Sequence, residues 1–163
     1  MRYLVLACCL PAMLLIPAFA RDPSEKLRAN GYVFGAPGVR ADRGTATIQI
    51  GGGGEAYVYK GLGLGVDGGV MMVAECGGCR GTVLSLNGIY SFKSASRPKI
   101  SPFISGGASL MPASDVPGGM NLGAGVQYWF RERMGLRVEF RDHIFMGYRN
   151  HHYYQARIGF AFR

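Results

Sequence analysis

The stretch "NLGAGVQYWFRERMGLRVEFRDHIF", residues Asn121 to Phe145, changes character residue by residue on both sides of a short charged break. Before the break, Leu122, Ala124, Val126, Tyr128 and Phe130 oppose Asn121, Gly123, Gly125, Gln127 and Arg131. After Glu132-Arg133-Met134, Leu136, Val138 and Phe140 oppose Arg137, Glu139 and Arg141. Successive side chains of an extended chain point to opposite faces, so this period of two predicts two strands, each with an apolar and a polar face, joined by a tight turn. The make-up of the polar face decides what lies behind it. A soluble sandwich would show mostly charged residues there. This face carries Gly, Asn, Gln and single charges, as the crowded interior of a narrow barrel requires.

The same period extends outward in both directions. Eight stretches carry it, roughly Gly31–Val39, Thr45–Tyr59, Gly61–Val73, Gly81–Lys93, Lys99–Met111, Met120–Arg131, Gly135–Phe145 and His152–Phe162, and no helical periodicity competes. In the last, Tyr154, Ala156, Ile158, Phe160 and Phe162 oppose Tyr153, Gln155, Arg157, Gly159 and Ala161. Connections after the second, fourth and sixth stretches read as tight turns or short loops, around Lys60, at Ser94–Pro98 and at Glu132–Met134. Those after the third and fifth, "AECGGCR" and "PASDVPGG", read as longer and polar, and the first and last as charged. Alternating short and long connections are expected of an up-and-down barrel in an outer membrane. A spanning strand there needs about 9–11 residues, and most of the stretches reach that length. Pro37 makes the first the weakest. Tyr57, Tyr59, Tyr90, Phe92, Tyr128, Phe130, Phe160 and Phe162 near strand ends are expected to form an interfacial girdle. Lipid admits such strands only as a closed barrel, because an open edge leaves backbone groups unpaired in hydrocarbon. The expected fold is therefore all-β, an eight-stranded antiparallel up-and-down transmembrane β-barrel.

The N-terminus supplies the export route. "MRYLVLACCLPAMLLIPAFA" has one basic residue, an apolar run and small residues before the polar "RDPSEK", the layout of a signal peptide cleaved between Ala20 and Arg21. The domain plan is thus a signal over 1–20, a polar leader over 21–30 and the barrel over 31–163. A buried N-terminal helix and lipidation at Cys8 are the alternatives. The net charge of +8 would fall to +7 on losing Arg2. Export and the scatter of Lys and Arg speak against nucleic acid as a partner.

On these residues the chain resembles the small eight-stranded outer-membrane β-barrel family, the OmpA-like or OmpX-like transmembrane barrel domains, from about Gly31 to Arg163. The 121–145 stretch is similar to the penultimate hairpin of such barrels. The terminal "ARIGFAFR" is similar to the aromatic-ended last strand that the barrel-insertion machinery reads, although Arg163 follows the aromatic here. The resemblance implies a place in the cell outer membrane, with lipid, lipopolysaccharide and the insertion machinery as partners. Members include structural anchors, surface-binding proteins and a few lipid-modifying enzymes, so fold alone does not assign the role.

Several residues are candidates for a site. Glu55, Asp67, Arg137, Glu139, Arg141 and Arg157 fall on the polar face, and three acids with three arginines could interlock as a salt-bridged plug; a narrow charged pore is the alternative. His143, His151 and His152 are expected on the loop surface near the last connection. Metal binding and a lipid A deacylase-like hydrolysis are the alternatives for them, and the latter lacks a serine anywhere between Gly135 and Arg163. Cys76 and Cys79, in an oxidising compartment, are expected to close a disulfide clasp, with free thiols as the alternative; thioredoxin-type and zinc readings lack a helix or further ligands. The glycine clusters at 51–57 and 61–69 lack the lysine and helix of a phosphate loop. No cofactor is expected, and the chain reads as a non-enzymatic structural or surface-binding protein. Any extracellular ligand would meet the loops at 40–44, 74–80, 112–119 and 146–151.

Overall fold

The computed structural model describes residues 28–74, 79–92, 99–112, 118–146 and 150–163. They form eight strands: β1 (Arg28–Arg40), β2 (Thr45–Tyr59), β3 (Leu62–Val73), β4 (Cys79–Ser91), β5 (Ile100–Leu110), β6 (Gly118–Trp129), β7 (Met134–Phe145) and β8 (His151–Phe162). Each strand runs antiparallel to its chain neighbours, and β8 returns to β1 with Phe162 opposite Gly31, which closes the sheet into a barrel. The β1–β8 ladder lapses at Ala36 and Pro37, between the pairs Gly35–Ile158 and Gly38–Gln155. Proline has no N–H to give, so the lapse sits where a donor is missing.

The strands reach further than the alternation predicts. Arg28, Ala29 and Asn30 belong to β1, opposite Tyr57, Ala56 and Glu55, and are not leader. Cys79 and Arg80 open β4, and Gly118 and Gly119 open β6, so the connections at 74–78 and 111–117 are shorter than expected. The 92–99 connection is the longest between consecutive strands, and it lies at the end expected to carry tight turns or short loops. The expected short–long contrast between the two ends is absent. Backbone pairing does not require alternating side chains, so strands continue into segments whose composition suggested loops.

What alternates is apolar outside and polar inside. Leu64, Leu86 and Leu122 face outward at 60%, 60% and 70% exposure, among a band of exposed Val, Ile, Leu and Phe, while Gln49, Ser109, Arg141 and Gln155 are fully buried. An apolar exterior is costly in water and neutral in hydrocarbon, where the closed ladder leaves no edge unpaired. Tyr59, Tyr90, Phe92, Tyr128, Phe130, Phe160 and Phe162 are exposed and lie at one end, the end where β1 starts and β8 stops. Tyr57 departs from the expected girdle. It shares the inward face with Glu55, and its hydroxyl donates to Glu55 Oε1 at 2.7 Å.

Inward glycines make room for inward rings. A Cβ on Gly53 would sit 2.6 Å from Asp67 Cβ and 2.8 Å from Tyr32 Cζ, and one on Gly125 would sit 2.7 Å from Phe103 Cζ. Within the glycine clusters at 51–57 and 61–69, Gly51, Gly53 and Gly65 are therefore slots of β2 and β3 against which Phe34, Tyr32 and Ile89 pack. At the β2–β3 turn, Lys60 and Gly61 take φ values of +34° and +96°, the left-handed pair of a tight hairpin turn.

Candidate functional site

The candidate site is the barrel interior, whose side chains come from the inward positions of all eight strands. The six ionisable residues of the polar face all point into it, and each is at most 5% exposed. Nearest the terminus-bearing end, Arg137 Nη1 donates to Glu55 Oε2 at 2.9 Å. The Arg137 guanidinium lies 4.5 Å from the Tyr32 ring centre and 3.9 Å from that of Phe103. Toward the other end Asp67 receives Arg141 Nη1 at 2.8 Å, Arg157 Nη2 at 2.9 Å and Asn87 Nδ2 at 2.9 Å. Glu139 receives Arg141 Nε at 2.8 Å and the Ser105 hydroxyl at 3.0 Å, with Arg137 Nε at 3.5 Å. Arg157 also lies over Phe34, 3.7 Å from its ring centre. Three acids and three arginines thus form one continuous network of zero formal charge.

The pairing follows from register. Arg137, Glu139 and Arg141 sit on one face of β7; Glu139 is opposite Arg157 on β8 and Gly125 on β6. The Asp67 carboxylate projects from β3 into the same space and accepts from both β7 and β8. A charge buried at this depth is expensive alone, and removing one partner leaves the rest uncompensated.

Beyond the network lies a polar layer containing a residue the sequence placed elsewhere. His143 is 1% exposed and is not on the loop surface. Its Nδ1 lies 3.0 Å from Ser109 Oγ, which also receives Asn121 Nδ2 at 3.0 Å. Ser109 is the serine missing from the 135–163 segment, brought in by β5. His143 Nε2, Asn121 Oδ1, Gln155 Oε1 and both amide atoms of Gln49 have no hydrogen-bond partner among the described residues. Above this layer Met71, Val83 and Phe145, with Met111 and Tyr153 against them, form an apolar cap. The pair Ser109–His143 is therefore enclosed between charges and cap.

The other two histidines part company at the rim. His151 Nδ1 lies 3.0 Å from Asp42 Oδ2, and His152 Nδ1 lies 2.8 Å from Asp142 Oδ2. Arg40 grips Asp42 through two nitrogens at 2.7 and 2.8 Å, and this contact holds the Asp42 carboxyl below the usual carboxylate range. Among the described residues no group of three His, Cys, Asp or Glu is placed to hold a metal. Cys79, at the first position of β4, is disulfide-bonded. Cys76, Ala20 and Arg21 lie outside the described residues. Trp129, absent from the expected polar face, occupies the inward position between Gln127 and Arg131 at 7% exposure. Arg131 itself lies past the end of β6 and is exposed.

The sequence matches no protein-family model and no curated protein. By structure the chain is similar to small eight-stranded outer-membrane barrels. Neisserial surface protein A is 14% identical with a TM-score of 0.64, over 85% of this chain and 99% of that one. The N-terminal β-barrel domain of Pseudomonas aeruginosa OprF is 17% identical with a TM-score of 0.56, over 84% and 100%. The outer membrane enzyme PagL is 15% identical with a TM-score of 0.51, over 81% and 99%. The shared property is the closed eight-stranded antiparallel barrel.

Proposed function

We propose, from the fold of the small eight-stranded outer-membrane barrels, that this chain is an integral outer-membrane protein with a structural or surface-binding role and a lumen closed by its own side chains. It is exported by the signal over 1–20, cut between Ala20 and Arg21, and reaches the membrane through the barrel-insertion machinery. The single observation that carries this reading is the reversal of the usual protein: an apolar outside around a neutral, ion-paired inside. Eight-stranded interiors are just wide enough for side chains to fill. Here arginines, carboxylates and aromatic rings are within contact distance across the middle of the barrel. Lipid and lipopolysaccharide are the surroundings that fit the exterior.

The connections at 41–44, 74–78, 111–117 and 146–150 carry any contact with an external ligand, and Cys76 closing on Cys79 would stiffen the second of them. Their brevity favours a small or flat contact surface over a deep one. A catalytic role in the outer leaflet finds little support, since Ser109 and His143 point into the lumen and acyl chains lie outside it. Planar-bilayer recordings test the closed lumen. The purified protein is expected to show no large steady open level, and such a level would establish the pore instead.

A further inference from the structure

The lumen has a mouth at the end that carries both described chain ends, and its lining differs from the rest of the interior. An open cleft of about 380 Å³ there is lined by Lys99, Trp129, Phe130, Arg131, Glu132 and Arg163. Three consecutive backbone contacts fix its walls: Trp129 N donates to Lys99 O at 2.8 Å, Arg131 N to Met134 O at 3.0 Å, and Arg163 N to Arg133 O at 3.2 Å. The β5 start, the β6–β7 turn and the β8 end are thereby tied side by side. Trp129 forms the floor. Its ring packs beside Gly135, where a Cβ would come within 3.0 Å of it, and beneath the Arg163 guanidinium, 4.3 Å from the ring centre. Arg163 Nε donates to Glu132 O at 2.6 Å, which anchors the guanidinium at the cleft it lines.

Charge separates this mouth from the network above it. Inside the barrel each arginine has carboxylates; at the mouth Lys99 and Arg131 are exposed and have no ion pair among the described residues, and Glu132 is the one side-chain acid in the lining. Beside the cleft stand the exposed rings of Tyr128 and Phe162, and Phe130 in its lining is exposed too, at the level where headgroups begin. Cations beside an interfacial aromatic belt meet lipid phosphates.

We propose that this mouth binds the phosphate of an anionic phospholipid headgroup from the adjacent leaflet, held by Lys99, Arg131 and Arg163 with the glycerol portion over Trp129 and Phe130. The proposal rests on the membrane-barrel reading, and its test is separable from the test of that reading. Trp129 is the only tryptophan of the chain, so its fluorescence reports on the cleft directly. Folded protein in neutral detergent, verified by its heat-modifiable band, is titrated with short-chain phosphatidylglycerol, short-chain phosphatidylcholine, or glycerol phosphate. Phosphatidylglycerol is expected to give a saturable change in Trp129 emission that weakens as salt rises. Lys99→Gln with Arg131→Gln is expected to weaken its binding at least about fivefold, the worth of roughly one cation near an anionic surface, while keeping the heat-modifiable band. Equal response to phosphatidylcholine, or an unchanged response in the folded double variant, overturns the anion site. Equal affinity for free glycerol phosphate overturns the lipid as its source. A protein without a heat-modifiable band contradicts the barrel reading instead.

Discussion

Asp67 is the residue on which the interior converges. Two arginines, an asparagine and the Tyr32 hydroxyl at 3.3 Å all reach its carboxylate. Asp67→Asn keeps the shape and removes the charge, leaving three arginines against two acids among buried side chains. The expected loss is about 3–5 kcal/mol, read as a lower urea midpoint for the heat-modifiable band; a loss below about 1 kcal/mol would contradict the network. Gly53 tests the packing around the same carboxylate. Gly53→Val puts methyls where Asp67 Cβ and the Tyr32 ring already stand, and about 1–3 kcal/mol of overpacking is expected in the same titration. At this scale the sequence was legible in part. Parity along the strand told which residues share a face, because side-chain direction is a local property. It did not tell that Asp67 meets Arg157 ninety positions away or that Ser109 reaches His143, because those contacts depend on registers that local pattern does not encode. His143 was misplaced for the same reason: it stands two residues before the end of β7, yet the strand carries it inward under the cap.

Elements were more legible than contacts. Each strand of this barrel must be two-faced over its full spanning length, so the period of two ran through all eight, and it located β2 with both ends in place. Val73, Phe145 and Phe162 also end their strands as expected, and the other ends moved by one to three residues. Backbone pairing recruited Arg28–Asn30, Cys79–Arg80 and Gly118–Gly119, whose side chains carry no alternating signal. The β2–β3 turn falls where it was expected, around Lys60, and takes in Gly61, which the alternation had assigned to the third strand. Its first position is Lys60 at φ +34°, a conformation that costs an ordinary residue roughly 1–2 kcal/mol and asparagine less. Lys60→Asn is therefore expected to raise stability by about 0.5–1 kcal/mol, as a higher melting temperature of the barrel band. A decrease would mean that Lys60, whose ammonium lies 5.1 Å from the Tyr59 ring centre, contributes more through that contact than the turn geometry costs.

The whole molecule inverts the ordinary distribution of side chains, and that inversion requires a particular solvent. In water the exposed leucine, valine, isoleucine and phenylalanine band would drive aggregation; in a bilayer it is the matching surface, and the closed ladder satisfies every spanning backbone group that has a neighbour. Inside, three acids and three arginines pair with one another, and rings pack against the inward glycines Gly51, Gly53 and Gly125. The composition fits this distribution, with 26 Gly, 9 Phe and 9 Tyr in a chain without helical periodicity. The expected asymmetry of the loops did not appear, so the whole-molecule reading rests on the faces of the strands. Its most direct test is membrane fractionation combined with mobility in a semi-native gel. The barrel reading predicts a protein that sediments with outer membranes and migrates at two positions, compact when unheated and slower after boiling. A soluble protein with a single position before and after heating would contradict it.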